Sequence, residues 1–142
     1  MKKAMPGRFV LDSYALIGYL ENEPFAGRIQ KYLKQARKAE TSLYLHAIHL
    51  GEVYYITLRE QGQNAADLAY ARIKAFPLTF FDTIDEELLL KAASLKAGYP
   101  ISYADSFAAA LAKIHNCALL TGDPELMVLE KEKIIPIVWL TS

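Results

Sequence analysis

The sequence predicts an α/β fold in which helices cover both faces of a mostly parallel sheet. Short, strongly apolar runs alternate with longer segments of helical spacing along the 142 residues. Strands separated by helices need crossover connections, which join parallel strands and place helices on the faces of the sheet. The composition, 53% hydrophobic and 23% charged, is that of a globular chain. We therefore expect a single domain over residues 1–142.

Five apolar runs are short enough to be strands. The first ends in an acid, Asp12, and the last contains Val138 and Trp139. The predicted strands cover residues 8–12, 43–45, 78–81, 118–120 and 135–140.

Six segments between these runs have helical periodicity and recognisable ends. In the second segment, Ile29 and Leu33 lie on one side and Lys31 on the other, and the third segment ends at Gly62. The predicted helices cover residues 13–20, 25–39, 47–61, 65–75, 85–96 and 103–115.

Cysteine content and hydropathy indicate a soluble, cytoplasmic protein. One cysteine excludes a disulfide framework or a Cys-rich zinc site and favours a reducing compartment. Lys2 and Lys3 precede an apolar stretch, as in a signal peptide, but Asp12 interrupts that stretch and no small-residue cleavage site follows. No run approaches the ~20 apolar residues that a membrane-spanning helix needs.

Several common catalytic motifs are absent from the sequence. It contains no G-x-G-x-x-G, no G-x-x-x-x-G-K-[ST] and no G-x-S-x-G, which argues against a dinucleotide site, a P-loop and the usual hydrolase nucleophile. His46 and His49 have a spacing compatible with a metal pair, but nothing nearby completes a zinc site.

Four acids stand out by their positions. Asp12 ends the first strand in VLDSYAL, Glu52 lies in IHLGEVYY, Asp105 opens a helix in ISYADSFAAALA, and Asp123 follows the fourth strand in ALLTGDPEL. Parallel strands end at the same edge of a sheet, so Asp12 and Asp123 should project together. Asp105 should join them, because its helix leads into the strand that ends at Asp123. Carboxylate ligands suit Mg²⁺ or Mn²⁺, which activate water for attack on a phosphodiester.

Three of these acids also have a purely structural interpretation as helix caps. Asp12 is a good N-cap residue, and Asp123 before Pro124 has the same signature. Ser102 and Asp105 fit a capping box. Taken singly, each of these acids favours capping over catalysis.

Glu52 does not fit a cap, because it lies inside its helix. That helix is apolar nearly all round, so we expect it and Glu52 to be buried. A buried carboxylate needs a metal, a network of donors or a cation, and the structural alternative is a salt bridge with Arg8 or Arg59.

Together these motifs resemble the PIN domain family, and within it the VapC-type toxins of bacterial and archaeal toxin–antitoxin pairs. The resemblance covers nearly the whole chain, including the closing IPIVWL. It implies a three-layer α/β/α sandwich with about five parallel strands. It also implies an Mg²⁺- or Mn²⁺-dependent endoribonuclease that cleaves structured RNA such as tRNA or rRNA. A homodimer and a VapB-like antitoxin that blocks the acidic pocket are further implications.

The resemblance assigns roles by position. The implied catalytic and metal-binding quartet is Asp12, Glu52, Asp105 and Asp123. Asp12 and Asp105 would bind the ion, Asp123 would complete or water-bridge the site, and Glu52 would hold a second ion or position the attacking water. Ser13 and Thr121 would orient a carboxylate or a water molecule, with turn or cap chemistry as the alternative.

His49 departs from the pattern of many relatives, which have asparagine three residues before the glutamate. An imidazole can still bond Glu52 from one helical turn away and so support the site. It is bulkier than asparagine and titrates near neutrality, so the orientation of Glu52 stays open at this point. Glu125 is a further carboxylate near Asp123, and a first-turn position favoured by the helix dipole is the simpler explanation for it.

Basic and aromatic residues give weaker signals for an RNA partner. Lysines 31, 34 and 38 share one helical face and fit RNA phosphates, although a solvated face is the commoner explanation. Tyr14, Tyr19 and Tyr103 fit base stacking or plain packing equally well. Sixteen basic and sixteen acidic residues balance, but four acids gathered in one pocket would leave the remainder at +4.

Two other functions agree with the same fold. One is a catalytically silent PIN-like binding module, in which the acids only cap helices. The other is phosphoryl transfer on the first-strand acid, but receiver domains have adjacent acids there and aspartate-nucleophile phosphatases have D-x-D. Asp12 lies between Leu11 and Ser13, which fits neither pattern.

Overall fold

The computed structural model describes residues 7–141, in which five strands form one parallel sheet. The strands are β1 (Arg8–Leu11), β2 (Ser42–His46), β3 (Thr79–Phe81), β4 (Ala118–Thr121) and β5 (Ile137–Trp139). They pair in parallel in the order β3-β2-β1-β4-β5. The predicted parallel, five-stranded α/β fold is confirmed. Lys2 and Lys3 lie outside the described residues.

Seven helices connect or follow these strands. They are α1 (Ser13–Leu20), α2 (Ala26–Arg37), α3 (Ala47–Gln61), α4 (Gln63–Lys74), α5 (Glu86–Gly98), α6 (Tyr103–Ile114) and α7 (Met127–Lys131). The first six agree with the predicted helices to within two residues at each end. Helix α7 was not predicted, because its five residues are too few to show a helical period.

Side chains alternate along each strand between two hydrophobic cores. Val10 and Leu119 pack with α5, α6 and α7 on one face of the sheet. Leu11 and Leu120 pack with α1 to α4 on the other face. The molecule is therefore a three-layer α/β/α sandwich, and only the ends of the strands are left for a site.

The register of the central strands places two chain segments side by side. Leu11 of β1 pairs with Leu120 of β4. Asp12, the residue after β1, and Thr121, the last residue of β4, therefore lie next to each other at the carboxyl edge of the sheet.

Helix α3 is less buried than its sequence predicted. Its buried residues are His49, Leu50, Val53 and Thr57, whereas Tyr55 is 49% exposed. Apolar composition alone was misleading, because tyrosine and leucine side chains often remain at a surface. Gly62, with φ 94°, turns the chain directly from α3 into α4 in a conformation that favours glycine.

No helix within residues 7–141 has the length and apolar character required to cross a membrane.

Candidate metal centre

Asp12 is held at the carboxyl end of β1 as the N-cap of α1. Its Oδ1 accepts a hydrogen bond of 3.0 Å from the backbone N–H of Ala15. The residue is only 2% exposed. The capping interpretation is thus correct for Asp12, but it accounts for one carboxylate oxygen and not for the burial of the charge.

Thr121 connects the ends of β1 and β4. Its side chain is fully buried, and its Oγ1 accepts a 3.0 Å hydrogen bond from the backbone N–H of Asp123. The same hydroxyl bonds the carboxylate of Asp12. Since an ionised carboxylate can only accept, Thr121 donates its proton to Asp12. Thr121 therefore makes both the turn contact and the carboxylate contact that were considered for it, and its role in orienting Asp12 stays a proposal.

Asp123 caps the turn that follows β4. Its Oδ1 accepts a 3.0 Å hydrogen bond from the N–H of Glu125, at the start of the 3-10 turn Pro124–Leu126. Here too the predicted cap is present.

Asp105 is brought to the same edge by α6. Ser102 caps this helix, because its Oγ accepts a 3.0 Å hydrogen bond from the N–H of Asp105. The alanines of α6 at positions 108, 109 and 112 are fully buried, and small side chains let a helix approach the sheet closely. Asp105 therefore lies on the first turn of a helix that is packed tightly against β1 and β4.

The acids lie close enough to perturb one another. Burial raises the pKa of Asp12 to about 7, the bonds from Thr121 and Ala15 oppose this, and the charges of Asp123 and Glu52 add to it. Burial also raises the pKa of Asp105 to about 7, with further contributions from the charges of Asp123 and Asp12. All four predicted acids thus converge on one site.

Glu52 reaches the site from α3. It is half-buried, and burial raises its pKa, whereas a hydrogen bond with Ser13 lowers it and the charge of Asp123 raises it. The hydroxyl of Ser13 thus contacts the Glu52 carboxylate, and its role in orienting that carboxylate stays a prediction.

The alternative of a salt bridge from Glu52 to arginine is wrong. Arg8 lies at the opposite end of β1, beside His115 and Cys117: burial lowers the pKa of His115 and raises that of Cys117, and the charge of Arg8 acts on both groups as a smaller contribution. Arg59 lies over the ring of Tyr55, 5.2 Å from its centroid. Neither arginine is among the groups that shift the pKa of Glu52.

His49 does not form the hydrogen bond with Glu52 that its spacing in the sequence allowed. It is fully buried, and its Nε2 lies 2.9 Å from the backbone carbonyl oxygen of Ala104. Because a carbonyl only accepts, Nε2 carries the proton and donates it, while Nδ1 has no partner among the described residues. Burial lowers the pKa of His49 to about 4. The imidazole therefore connects α3 to the residue before Asp105.

Both ring nitrogens of His46 form hydrogen bonds with backbone atoms. Its Nδ1 accepts from the N–H of Ile48 at 3.1 Å, so Nε2 donates to the carbonyl oxygen of Thr83 at 2.8 Å. Both ring nitrogens are thus occupied, and the ring centroids of His46 and His49 lie 6.5 Å apart. The pair is not a zinc site.

The acids open onto a pocket of about 950 Å³. Six acidic residues line it: Glu21, Glu23, Glu52, Asp105, Asp123 and Glu125. Arg28 is the single lysine or arginine among the lining residues within 7–141, and Asp12 lies buried behind the lining. With these seven acids and Arg28 set aside, the sixteen acids and sixteen bases of the chain leave nine acids against fifteen bases. The remainder of the chain is therefore positively charged.

The pocket contains a carboxylate cluster suited to a metal ion. One carboxylate oxygen from each of Asp105, Asp123 and Glu125 lies within 4.8 Å of the others. Hard, all-oxygen ligands of this kind fit Mg²⁺ or Mn²⁺, and a cation would relieve the repulsion that raises the neighbouring pKa values. Glu125 was assigned only a capping-turn role from sequence, and its position two residues after Asp123 was the signal that it faces the same space.

Of the three tyrosines considered for base stacking, Tyr14 lines the pocket. It is 38% exposed and stacks on Phe25, with ring centroids 5.8 Å apart. Tyr19 donates its hydroxyl to Gln30, and Tyr103 packs against Phe107 outside the pocket lining. Packing explains the latter two.

The fold and this acidic edge agree with the comparisons to known families. The family model of the PIN domain matches residues 9–131, and the protein therefore belongs to the PIN domain family. A comparison with curated protein sequences gave no match.

Solved structures of toxin–antitoxin proteins have the same fold. VapBC2 from Rickettsia felis, bound to a DNA fragment from its promoter, gives a TM-score of 0.72 at 13% identity, over 92% of this chain and 97% of that one. VapBC-1 from nontypeable Haemophilus influenzae gives a TM-score of 0.69 at 19% identity, over 95% of this chain and 99% of that one. Mycobacterium tuberculosis VapC20, described as a Sarcin-Ricin loop cleaving toxin, gives a TM-score of 0.65 at 14% identity, over 84% of this chain and 93% of that one.

Proposed function

We propose that this protein is a VapC-type toxin, an endoribonuclease that depends on Mg²⁺ or Mn²⁺ and cleaves structured RNA such as tRNA or rRNA. The observation that carries the proposal is the convergence of Asp12, Glu52, Asp105 and Asp123 on one pocket at the carboxyl edge of β1 and β4. The fold shared with VapC20, a toxin that cleaves the Sarcin-Ricin loop, supports an RNA substrate.

The residues divide the work of hydrolysis between them. Asp12 and Asp105 would hold the Mg²⁺ or Mn²⁺ ion, and Asp123 and Glu125 would complete the ligand set directly or through water. When bound, the ion would supply activation of a water and neutralisation of the charge that develops on the phosphodiester. Thr121 fixes the Asp12 carboxylate. No covalent protein nucleophile takes part.

Glu52 acts from the other side of the pocket, where it positions the attacking water or holds a second ion. The hydrogen bond with Ser13 fixes its carboxylate. Its raised pKa suits a group that accepts a proton from water during the reaction.

We propose further that a VapB-like antitoxin neutralises the enzyme in the cytoplasm and that the toxin is a homodimer. Structures of VapBC complexes share the fold. The six carboxylates around the pocket are complementary to a basic side chain that an antitoxin could insert there.

The decisive experiment is cleavage of a pool of total tRNA and rRNA by the purified protein. We expect discrete fragments with Mn²⁺, none with EDTA, and none with Asp12→Asn. Asp82→Asn, an exposed acid outside the pocket lining, is the matched control and should cleave normally. Cleavage that survives Asp12→Asn would contradict the assigned site.

The same experiment separates the nuclease from the silent PIN-like binding module. Folded protein that is free of antitoxin and binds Mn²⁺ tightly, yet leaves the whole RNA pool intact, would favour the binding module.

A further inference from the structure

Helix α2 and its C-cap carry a row of positive charges. We define the α2 basic face as Arg28, Lys31, Lys34 and Lys38, all of which are exposed. Their spacings of three, three and four residues place them on one side of the helix. The opposite side, with Ala26, Ile29 and Leu33, is buried, and no acid lies within α2.

One end of this face lies at the acidic pocket. Arg28 lines the pocket, and its Nη1 donates a 2.6 Å hydrogen bond to the carbonyl oxygen of Trp139 at the end of β5. The indole of Trp139 in turn donates to Glu130 at 3.0 Å. Arg28 is therefore held at the sheet edge where the acids converge, with one of its five N–H donors used within residues 7–141.

Helix stability does not explain Arg28. It is the third residue of α2, in the first turn, where the helix dipole disfavours a cation and favours an acid. Lys34 lies in the last turn, where a cation is favourable, so its charge is explained by the helix alone. At this position Arg28 offsets part of the charge of the six carboxylates, and its free donors offer a contact to a phosphate that approaches the pocket.

We propose that the α2 basic face binds the phosphate backbone of the RNA substrate, with Arg28 on a phosphate at the pocket mouth and the three lysines on phosphates further along the strand. The proposal rests on the proposed nuclease function. Helix α2 returns from the carboxyl edge to the amino edge of the sheet, so the face leads away from the pocket for about 15 Å. These cations would offset the repulsion that an acidic pocket exerts on a polyanion. An acidic protein segment is the competing occupant.

RNA binding without cleavage tests the proposal. In the Asp12→Asn background with Mn²⁺ present, a fluorescein-labelled RNA hairpin is titrated at several salt concentrations, and Kd is followed by anisotropy. We expect Arg28→Gln to weaken binding about tenfold and to reduce the slope of log Kd against log salt by about 1. Lys31→Ala with Lys34→Ala should reduce the slope by about 2.

The control removes equal charge from the opposite side of the sheet. Lys91 on α5 and Lys131 on α7 are exposed and lie outside the pocket lining, so the double alanine variant should keep the original slope. Equal losses in this control, or unchanged slopes in both α2 variants, would overturn the proposal. Unchanged RNA binding together with lost binding of polyglutamate would overturn it in favour of an acidic protein partner. Thermal melts of every variant identify any loss caused by misfolding.

Cleavage assays with Asp12 intact keep the two proposals apart. Cleavage by the wild-type chain with no effect of the α2 variants on binding overturns the basic face alone. The opposite result is that the α2 variants reduce the slope of log Kd against log salt while the wild-type chain cleaves no RNA. That result supports the α2 basic face and overturns the nuclease function.

Discussion

Single polar side chains, two of them buried, hold the acid-bearing elements of this protein together. Thr121 joins the residues that follow β1 and β4, Ser13 joins α1 to Glu52, and His49 joins α3 to α6. None of these three residues is an acid. Residues of this kind commonly affect a metal site as strongly as its ligands do, because they fix the orientation of the ligands.

The bond from His49 to Ala104 predicts different outcomes for two similar substitutions. Glutamine can place an N–H donor near the position of Nε2, whereas asparagine is too short to reach it. We expect His49→Asn to be less stable than His49→Gln by about 1–3 kcal/mol in chemical denaturation, through the lost hydrogen bond and the space left behind. Equal stabilities would contradict this role of Nε2.

The pH dependence of stability gives His49 a second signature. Its pKa falls from 6.5 to about 4 on burial, so between these values the unfolded chain binds the proton and the folded chain does not. The quantity to follow is the difference in free energy of unfolding between the wild type and His49→Gln. We expect this difference to be largest above pH 6.5 and to decline as the pH falls toward 4. The decline is at most about 1.4 kcal/mol per pH unit.

At the scale of elements, close approach between α1 and the start of α2 shapes the pocket wall. Gly18 is buried in α1, and a β-carbon at this position would overlap the ring of Phe25. Phe25 is only 6% exposed and belongs to the core, so its ring has little room to move. Glycine is needed at Gly18 for this contact rather than for an unusual backbone conformation.

We expect Gly18→Ala to lower the free energy of unfolding by about 1–3 kcal/mol, because overpacking forces the ring and helix apart. Gly51→Ala is the matched control. Gly51 is also helical, but it is exposed and an added methyl would meet nothing within 4 Å. This control should raise stability by about 0.5–1 kcal/mol through the better helix propensity of alanine. Urea denaturation of the two variants measures both effects, and a neutral Gly18→Ala would refute the tight contact.

At the scale of the whole molecule, negative charge is concentrated at one edge of the sheet while the rest of the chain is positive. Burial is the main cause that raises the pKa values of Asp12 and Asp105 to about 7, and the charges of neighbouring acids add to it. Between the usual value of 3.8 and about 7, the folded chain holds protons that the unfolded chain has released. In metal-free protein the contribution of these two groups to stability therefore falls as the pH rises through this range.

A divalent cation should reverse this loss of stability at high pH, because the cation binds the carboxylates in their ionised form. We expect Mn²⁺ to raise the melting temperature more at about pH 8 than at about pH 6, since a metal competes with protons for its ligands. In the metal-free state at about pH 8, Asp12→Asn should be more stable than the wild type, because the variant has no buried charge there. Scanning calorimetry with and without EDTA measures both. A Mn²⁺ effect that is independent of pH would count against carboxylate ligation.

Much of this architecture could be predicted from local sequence signals. Apolar runs and helical periods are properties of neighbouring residues, so they marked the strands and the long helices to within a few positions. The caps at Asp12, Ser102 and Asp123 are equally local, because each side chain bonds a backbone N–H two or three residues away. The parallel order of strands and helices then implied that the acids meet at one edge.

The sequence by itself thus determined the sandwich and the meeting of its four acids. Only the tertiary structure decided that His49 bonds Ala104 rather than Glu52, that Asp105 comes within reach of Glu125, and that Arg28 lines the pocket. It also decided that Arg8 and Arg59 stay away from Glu52. The physical reason is the distance along the chain between the residues that interact. Periodicity and capping depend on neighbours a few residues apart, whereas these contacts join segments up to 111 residues apart, whose proximity only the packed sheet and helices create.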